Sequence, residues 1–251
     1  MNVKFRMPKF GQMLSGKSML RELLMTTLGT TISIVLTFGT AAWMDQRQKE
    51  KNRRQAVLMV ISDFYAYRIA LQTYYDQCFM KWKSEIEELN SIPRDSMMHL
   101  TDEEIQKYWY ALSQKNHVPR DKTAENIFTS DISTWRDVEN FRFIKQVGSG
   151  YQLINTIEET IKKEMDDRGA TNRYFFANYG EMDGASAFVT YYELKEVQHC
   201  SFEYRVTFCP SIEYYIEHLK TIEDECMNMM NVSDKELDEF METDGGGFAI
   251  K

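Results

Sequence analysis

From Leu23 to Met44 the chain runs LLMTTLGTTISIVLTFGTAAWM, 22 residues without an Asp, Glu, Lys or Arg. As a helix this run spans about 33 Å, against a bilayer hydrocarbon core of about 30 Å. Eight of its residues are Leu, Ile, Val or Phe, each favouring insertion by roughly 0.3 to 0.6 kcal/mol. The expectation is a transmembrane helix over 23–44, and every other feature of the chain has to be read around it. A cleaved signal peptide competes, because Lys4, Arg6, Lys9 and Lys17 precede the run and Thr40, Ala41 and Ala42 supply small residues near its end. The run overshoots the roughly 7 to 15 apolar residues of such a peptide. A buried helix of a globular domain is the other competitor, and six chargeless turns are unusual for one.

Within the run, Thr26, Thr30, Ser33, Thr37 and Thr40 recur at alternating spacings of four and three, which puts them on one helix face. Hydroxyls in lipid can bond back to their own helix carbonyls and do nothing else. The regular seam, with Gly29 and Ser33 as a small-xxx-small pair beside it, favours close packing on a second membrane helix, from another copy of this chain or another membrane protein.

Flanking charge decides orientation weakly, since five Lys or Arg lie on each side of the run: Lys4, Arg6, Lys9, Lys17 and Arg21 before it, and Arg47, Lys49, Lys51, Arg53 and Arg54 after it. The N-terminal amine tips the reading toward a cytoplasmic N-terminus in a bacterial inner membrane, with the bulk of the chain in the periplasm. Charge is divided sharply along the sequence. Residues 1–44 carry five basic groups and only Glu22, whereas 55–251 carry 20 basic and 35 acidic groups, a balance of −15 that the basic segments before it reduce to the net charge of −8. A domain so acidic is a poor match to nucleic acid, whose binding is driven by clustered Lys and Arg on phosphates. Cys78, Cys200, Cys209 and Cys226 are too few for a disulfide framework, and either pairing or free thiols fit the count.

Beyond the run the chain reads as mainly α. Asp45 to Ile92 contains no Pro or Gly. There Val57, Val60, Phe64, Tyr67, Leu71, Tyr74 and Cys78 alternate at three and four, with Trp82, Ile86 and Leu89 resuming the stripe after a one-residue drift. If continuous, that helix is about 70 Å long. Its wide apolar face, with Ile61, Tyr65, Ile69 and Tyr75, suits a helical bundle better than a two-stranded coiled coil. Pro93 ends it, Thr101 with Glu104 forms a capping box opening a helix to about Lys115, and Pro119 breaks the pattern again. A helix over Ile132–Val147 closed by Gly148, Ser149 and Gly150, followed by a helix over Tyr151–Arg168 capped by Gly169, makes an antiparallel pair. Pro210 and Ser211 start a further helix, and Ser233 with Glu236 caps a last one. Between 173 and 208 a small β-hairpin competes with helix: Phe202, Tyr204, Val206 and Phe208 alternate with polar residues, and Asp183–Gly184 could turn between two aromatic runs. The resulting organisation is a basic segment over 1–22, the membrane helix over 23–44, a helical domain over 45–240, and a Gly-rich tail over 241–251.

Motifs for chemistry are sparse. Gly11 to Ser18 reads GxxxxGKS, the pattern of a phosphate-cradling loop, and Val57–Ile61 with Asp63 imitates its magnesium-binding strand. The context is wrong, because only ten residues precede Gly11 and the helix that follows is the chargeless run. Glu196 and His199 make one Glu-x-x-His, half of what a di-iron bundle needs, and His199–Cys200 lacks the short paired spacings of zinc. No catalytic, cofactor or metal site is therefore expected.

Two stretches, MDQRQKEKNRRQAVLMVISDFYAYRIAL over 44–71 and IFTSDISTWRDVENFRFIKQVGSGYQLI over 127–154, together with the short basic N-terminus and Trp43 near the end of the run, resemble uncharacterised single-pass membrane proteins common in Bacteroidota. The resemblance implies a membrane helix running into a helical domain, and it implies no activity. The functional expectation is a membrane-anchored helical interaction, scaffold or sensory module, with the lipid bilayer and a second copy or another membrane protein as partners. An enzyme with a site scattered in sequence and a periplasmic small-ligand sensor are the alternatives.

Overall fold

The computed structural model describes residues 16–114, 117–130, 135, 138–180, 182 and 184–243. For residues 16–30, 33–39, 41 and 42 that description is of the helical backbone alone. All of the regular structure is helical, and no strand occurs among the described residues. The chain divides into two compact units, Met1–Asn52 and Arg53–Lys251.

In the first unit the described backbone is helical from Gly16 onward, in α1 (Gly16–Tyr74). Among the described residues no helix is long and apolar enough to cross a membrane. Thr26, Thr30, Ser33 and Thr37 of the hydroxyl seam have side chains outside the described residues, and Thr40 is exposed. Gly11 to Ser15 of the GxxxxGKS match also lie outside them, and Gly16 opens α1.

The second unit is a helical bundle around one core. Its first helix is the C-terminal part of α1, where Val57, Val60, Ile61, Phe64, Tyr67 and Leu71 are all buried, as their three-and-four spacing requires. A π turn over Tyr75–Phe79 follows, in which the Met80 N–H reaches back to the Tyr75 carbonyl, and α2 (Met80–Ser91) continues the same path. The extra residue in the wider turn is the physical form of the drift seen in the sequence. The shift falls one turn earlier than the sequence suggested, so Tyr75 and Phe79 enter the core while Tyr74 and Cys78 are half-buried at its edge. Ile92 is extended and Pro93 stops the helix before the short α3 (Arg94–Met97).

Helix α4 (Asp102–Ser113) opens on a complete capping box, with Thr101 Oγ1 accepting from the Glu104 N–H and the Glu104 carboxylate accepting from the Thr101 N–H. It packs against α2, where Glu88 accepts from both Lys107 and Tyr108. Residues 117–122, Pro119 among them, form an irregular stretch that leads into α5 (Thr123–Ser130).

The antiparallel pair expected around Gly148–Gly150 is instead one helix, α6 (Phe141–Tyr179), of 39 residues, capped by Asn140 Oδ1 on the Phe143 N–H at 3.1 Å. Gly150 is not a stop. A Cβ there would lie 2.4 Å from Cζ of Phe64, so the glycine lets α1 and α6 approach each other and lets Phe64 meet Tyr151 edge-on at 5.0 Å.

Helices α7 (Gly184–Tyr192) and α8 (Lys195–Glu203) lead into a second π turn, Tyr204–Phe208, and then α9 (Cys209–Met230), which packs along α6. The hairpin that competed with helix over 173–208 is therefore absent among the described residues. Of its alternating residues, Tyr204 and Phe208 are buried and stacked at 5.1 Å, whereas Phe202 and Val206 are half exposed. Four-residue spacing of the two buried rings, hidden inside a two-residue alternation, is what a helix selects. Pro210 sits in the first turn of α9, as its fixed φ favours, while the helical path reaches back through the π turn to Lys195. Asn231, left-handed at φ 51°, ends α9 before α10 (Asp234–Thr243), whose Glu236 N–H is capped by Ser233.

Candidate functional site

Two buried arginines organise the polar interior of the second unit, and neither stood out in the sequence. Arg120 follows Pro119 in the irregular stretch, where Asp121 accepts from the backbone and hydroxyl of Thr123 and so fixes the entry to α5. Those two hydrogen bonds hold the Asp121 carboxyl below the usual carboxylate range. The guanidinium points inward and is only 2% exposed. Three carboxylates from three helices converge on it: Glu125 of α5 at 3.0 Å, Glu158 of α6 at 3.6 Å and Asp63 of α1 at 3.9 Å. Its Cζ lies 5.6 Å from the ring centres of both Tyr67 and Tyr151. Asn155 donates to Glu125 at 2.8 Å, and Lys122 caps the outer oxygen of Glu158 at 2.7 Å.

The cluster is short of positive charge and of hydrogen bonds. Three anions face Arg120 and Lys122, so one carboxyl is disfavoured as an anion in a buried setting. Burial pushes the Asp63 carboxyl up to about 6, against the opposing pull of Arg120 and the nearby Tyr151 hydroxyl. Tyr67 Oη and Arg120 Nε make no hydrogen bond to the described residues, and Tyr151 Oη lies by Asp63 without hydrogen-bond geometry. Burial, reinforced by Glu158 for Tyr67 and by Asp63 for Tyr151, keeps both phenols protonated. Chemically the cluster can take up and release a proton near Asp63.

Arg168 of α6 is buried just as completely, its side chain 1% exposed. It bonds Glu164 at 2.8 Å and the Ala111 carbonyl of α4 at 2.7 Å, and its guanidinium lies 3.9 Å from the ring centre of Tyr204. Burial raises the Glu164 carboxyl and Arg168 draws it back. Beside the guanidinium, Leu112, Thr171, Tyr191, Val197, Cys200 and Ser201 enclose about 10 Å³, room for about one water and far below the several hundred Å³ of a ligand pocket.

Glu196 and His199 lie one turn apart on α8. Glu196, His199, His99, His117 and His218 are all exposed, and no group of His, Cys, Asp and Glu among the described residues is arranged to hold a metal ion. Cys78 and Cys200 are half-buried free thiols, and Cys209 and Cys226 are buried ones, pushed up to about 12 by that burial. Asp63, which imitated a magnesium-binding acid, faces Arg120 from within α1.

No family model, curated protein or solved structure matches this chain.

A signal for Arg168 was present in the sequence. Ile154, Ile157, Ile161 and Met165 form a core stripe whose next position is 168. Arg120 has no such signal, because an irregular segment carries no periodicity.

Proposed function

We propose that this chain is a membrane-anchored helical module, a scaffold or sensor akin to the single-pass Bacteroidota proteins it resembles, with its acidic bundle on the periplasmic side and self-association through the Thr/Ser seam. The observation that carries this reading is the 22-residue chargeless run at 23–44, helical in its backbone and bordered on both sides by basic residues. Supporting it, Arg120 and Arg168 link side chains and a carbonyl from separate helices of the bundle to one another.

The test has three readouts. The chain should stay with membranes through alkaline carbonate extraction. Crosslinking of the full chain in membranes should give a dimer or higher species that T30L/S33L/T37L abolishes, and a crosslinked species unaffected by that change overturns the seam. A reporter cysteine at the exposed position 196 should react with an impermeant maleimide in intact cells. Labelling only after lysis reverses the assigned side. Position 196 serves better than Cys209, which is buried.

Within this reading a sensory role has one specific observation in its favour. Burial pushes the Asp63 carboxyl up to about 6 where it faces Arg120 together with Glu125 and Glu158.

A further inference from the structure

Just past the chargeless run, Trp43, Arg47 and Lys51 follow one another at spacings of four and so share a helix face. Trp43 is 53% exposed and Met44 66%, a large apolar area left open to solvent in the described residues. The guanidinium of Arg47 lies 3.8 Å from the centre of the Trp43 ring, a cation–π contact that holds the charge beside the indole. The other nearby cations are spoken for. Lys49 pairs with Asp45 at 3.1 Å. Arg54, one of the five basic residues after the run, turns to Glu236 and to the carbonyls of Met230 and Asn231.

We infer that the face formed by Trp43, Arg47 and Lys51 binds the headgroups of anionic phospholipid. The inference rests on the proposed anchor and names the lipid that surrounds its end. Four residues of helix rise about 6 Å, and a bilayer about 40 to 45 Å thick over a core of about 30 Å has interfacial layers of about 5 to 8 Å. With the indole at the edge of the hydrocarbon, where such rings settle, the Arg47 guanidinium beside it stands within the interfacial layer, and the Lys51 backbone lies about 6 Å beyond that of Arg47, where the surface potential of anionic lipid still acts. Guanidinium matches phosphate oxygens in a two-pronged geometry, and lysine adds a point charge. The order apolar, aromatic, guanidinium, ammonium along one face is the order of polarity met on leaving a bilayer.

The full chain reconstituted into vesicles of phosphatidylcholine, with phosphatidylglycerol as the minor component, provides the test. Bromine is placed on the chains of one lipid or the other, and tryptophan quenching is read. Trp82 and Trp135 are buried and Trp109 is half-buried, so the difference between the wild type and W43F isolates Trp43. Brominated phosphatidylglycerol should quench Trp43 beyond its share of the lipid. R47Q and K51Q should each reduce that local enrichment by about fivefold, while K49Q has a smaller effect. Equal quenching per mole by the two lipids, in vesicles from which carbonate does not extract the chain, overturns the headgroup site and leaves the anchor standing. Extraction by carbonate overturns the anchor, and the headgroup site falls with it.

Discussion

Gly148 and Gly150, two residues apart in α6, meet opposite surroundings. A Cβ at 148 meets nothing within 4 Å, whereas one at 150 meets the Phe64 ring. G148A should therefore stabilise the bundle by about 0.5 to 1 kcal/mol, the ordinary gain of alanine over glycine inside a helix. G150A should destabilise it by about 1 to 3 kcal/mol through overpacking. Denaturant melts of the pair decide this, and similar effects for both would contradict the close approach. In sequence, a glycine that ends a helix and one that admits a neighbouring ring look the same, which is why a break was expected here. At Asp63 the prediction is one of pH. The folded state holds the proton to about 6 against an ordinary value of 3.8, so it binds more protons than the unfolded chain between those values. The carboxyl's contribution is fully present below about pH 4 and is lost as pH rises through 6, a change of about 3 kcal/mol. D63N should match the wild type near pH 4 and be more stable by up to that amount at pH 7. Parallel pH profiles for the two proteins would remove the assignment. Glu85 and Glu164, also raised by burial, are present in both and cancel in the difference.

At the level of elements, the helices whose limits are set by local chemistry were legible. Thr101 and Glu104 announce α4, Pro93 marks the end of α2, and Ser233 announces α10, because each acts within four residues of its own position. T101A should cost about 1 kcal/mol by removing the cap, read as a shift of the thermal midpoint. The elements misread were those decided by distant partners. Phe202–Phe208 has an alternating pattern, but Tyr204 and Phe208 are drawn inward together by Phe79, which Phe208 meets edge-on at 5.2 Å, and by Arg168. Tyr204 also donates to the Phe79 carbonyl at 3.0 Å, joining one π turn to the other. Y204F deletes that bond and keeps the ring, so it should destabilise by about 1 to 2 kcal/mol with little change in helix content by circular dichroism. The candidate site was less legible still: Asp63, Glu125 and Glu158 come from separate helices, and the loop residue Arg120 that gathers them has no local pattern.

On the scale of the second unit, its first helix and its last are tied by one residue. Arg54 near the start bonds Glu236 of α10 and the last carbonyls of α9, completing a helix end that would otherwise leave acceptors open. R54A should release α10, seen as loss of amide-exchange protection confined to 234–243, while α6 and α9 keep theirs. Protection lost throughout would mean that the bundle depends on this closure as a whole. Arg68 with Glu223, bonded at 2.7 Å, fastens α1 to α9 closer to the core. The facing π turns carry a consequence for descent. Each holds one residue more than a regular helix, and each sits against the other, so neither register can be corrected alone. When kindred sequences are aligned, a single-residue gap within 75–79 should be accompanied by one within 204–208, and lineages should gain or lose the two together.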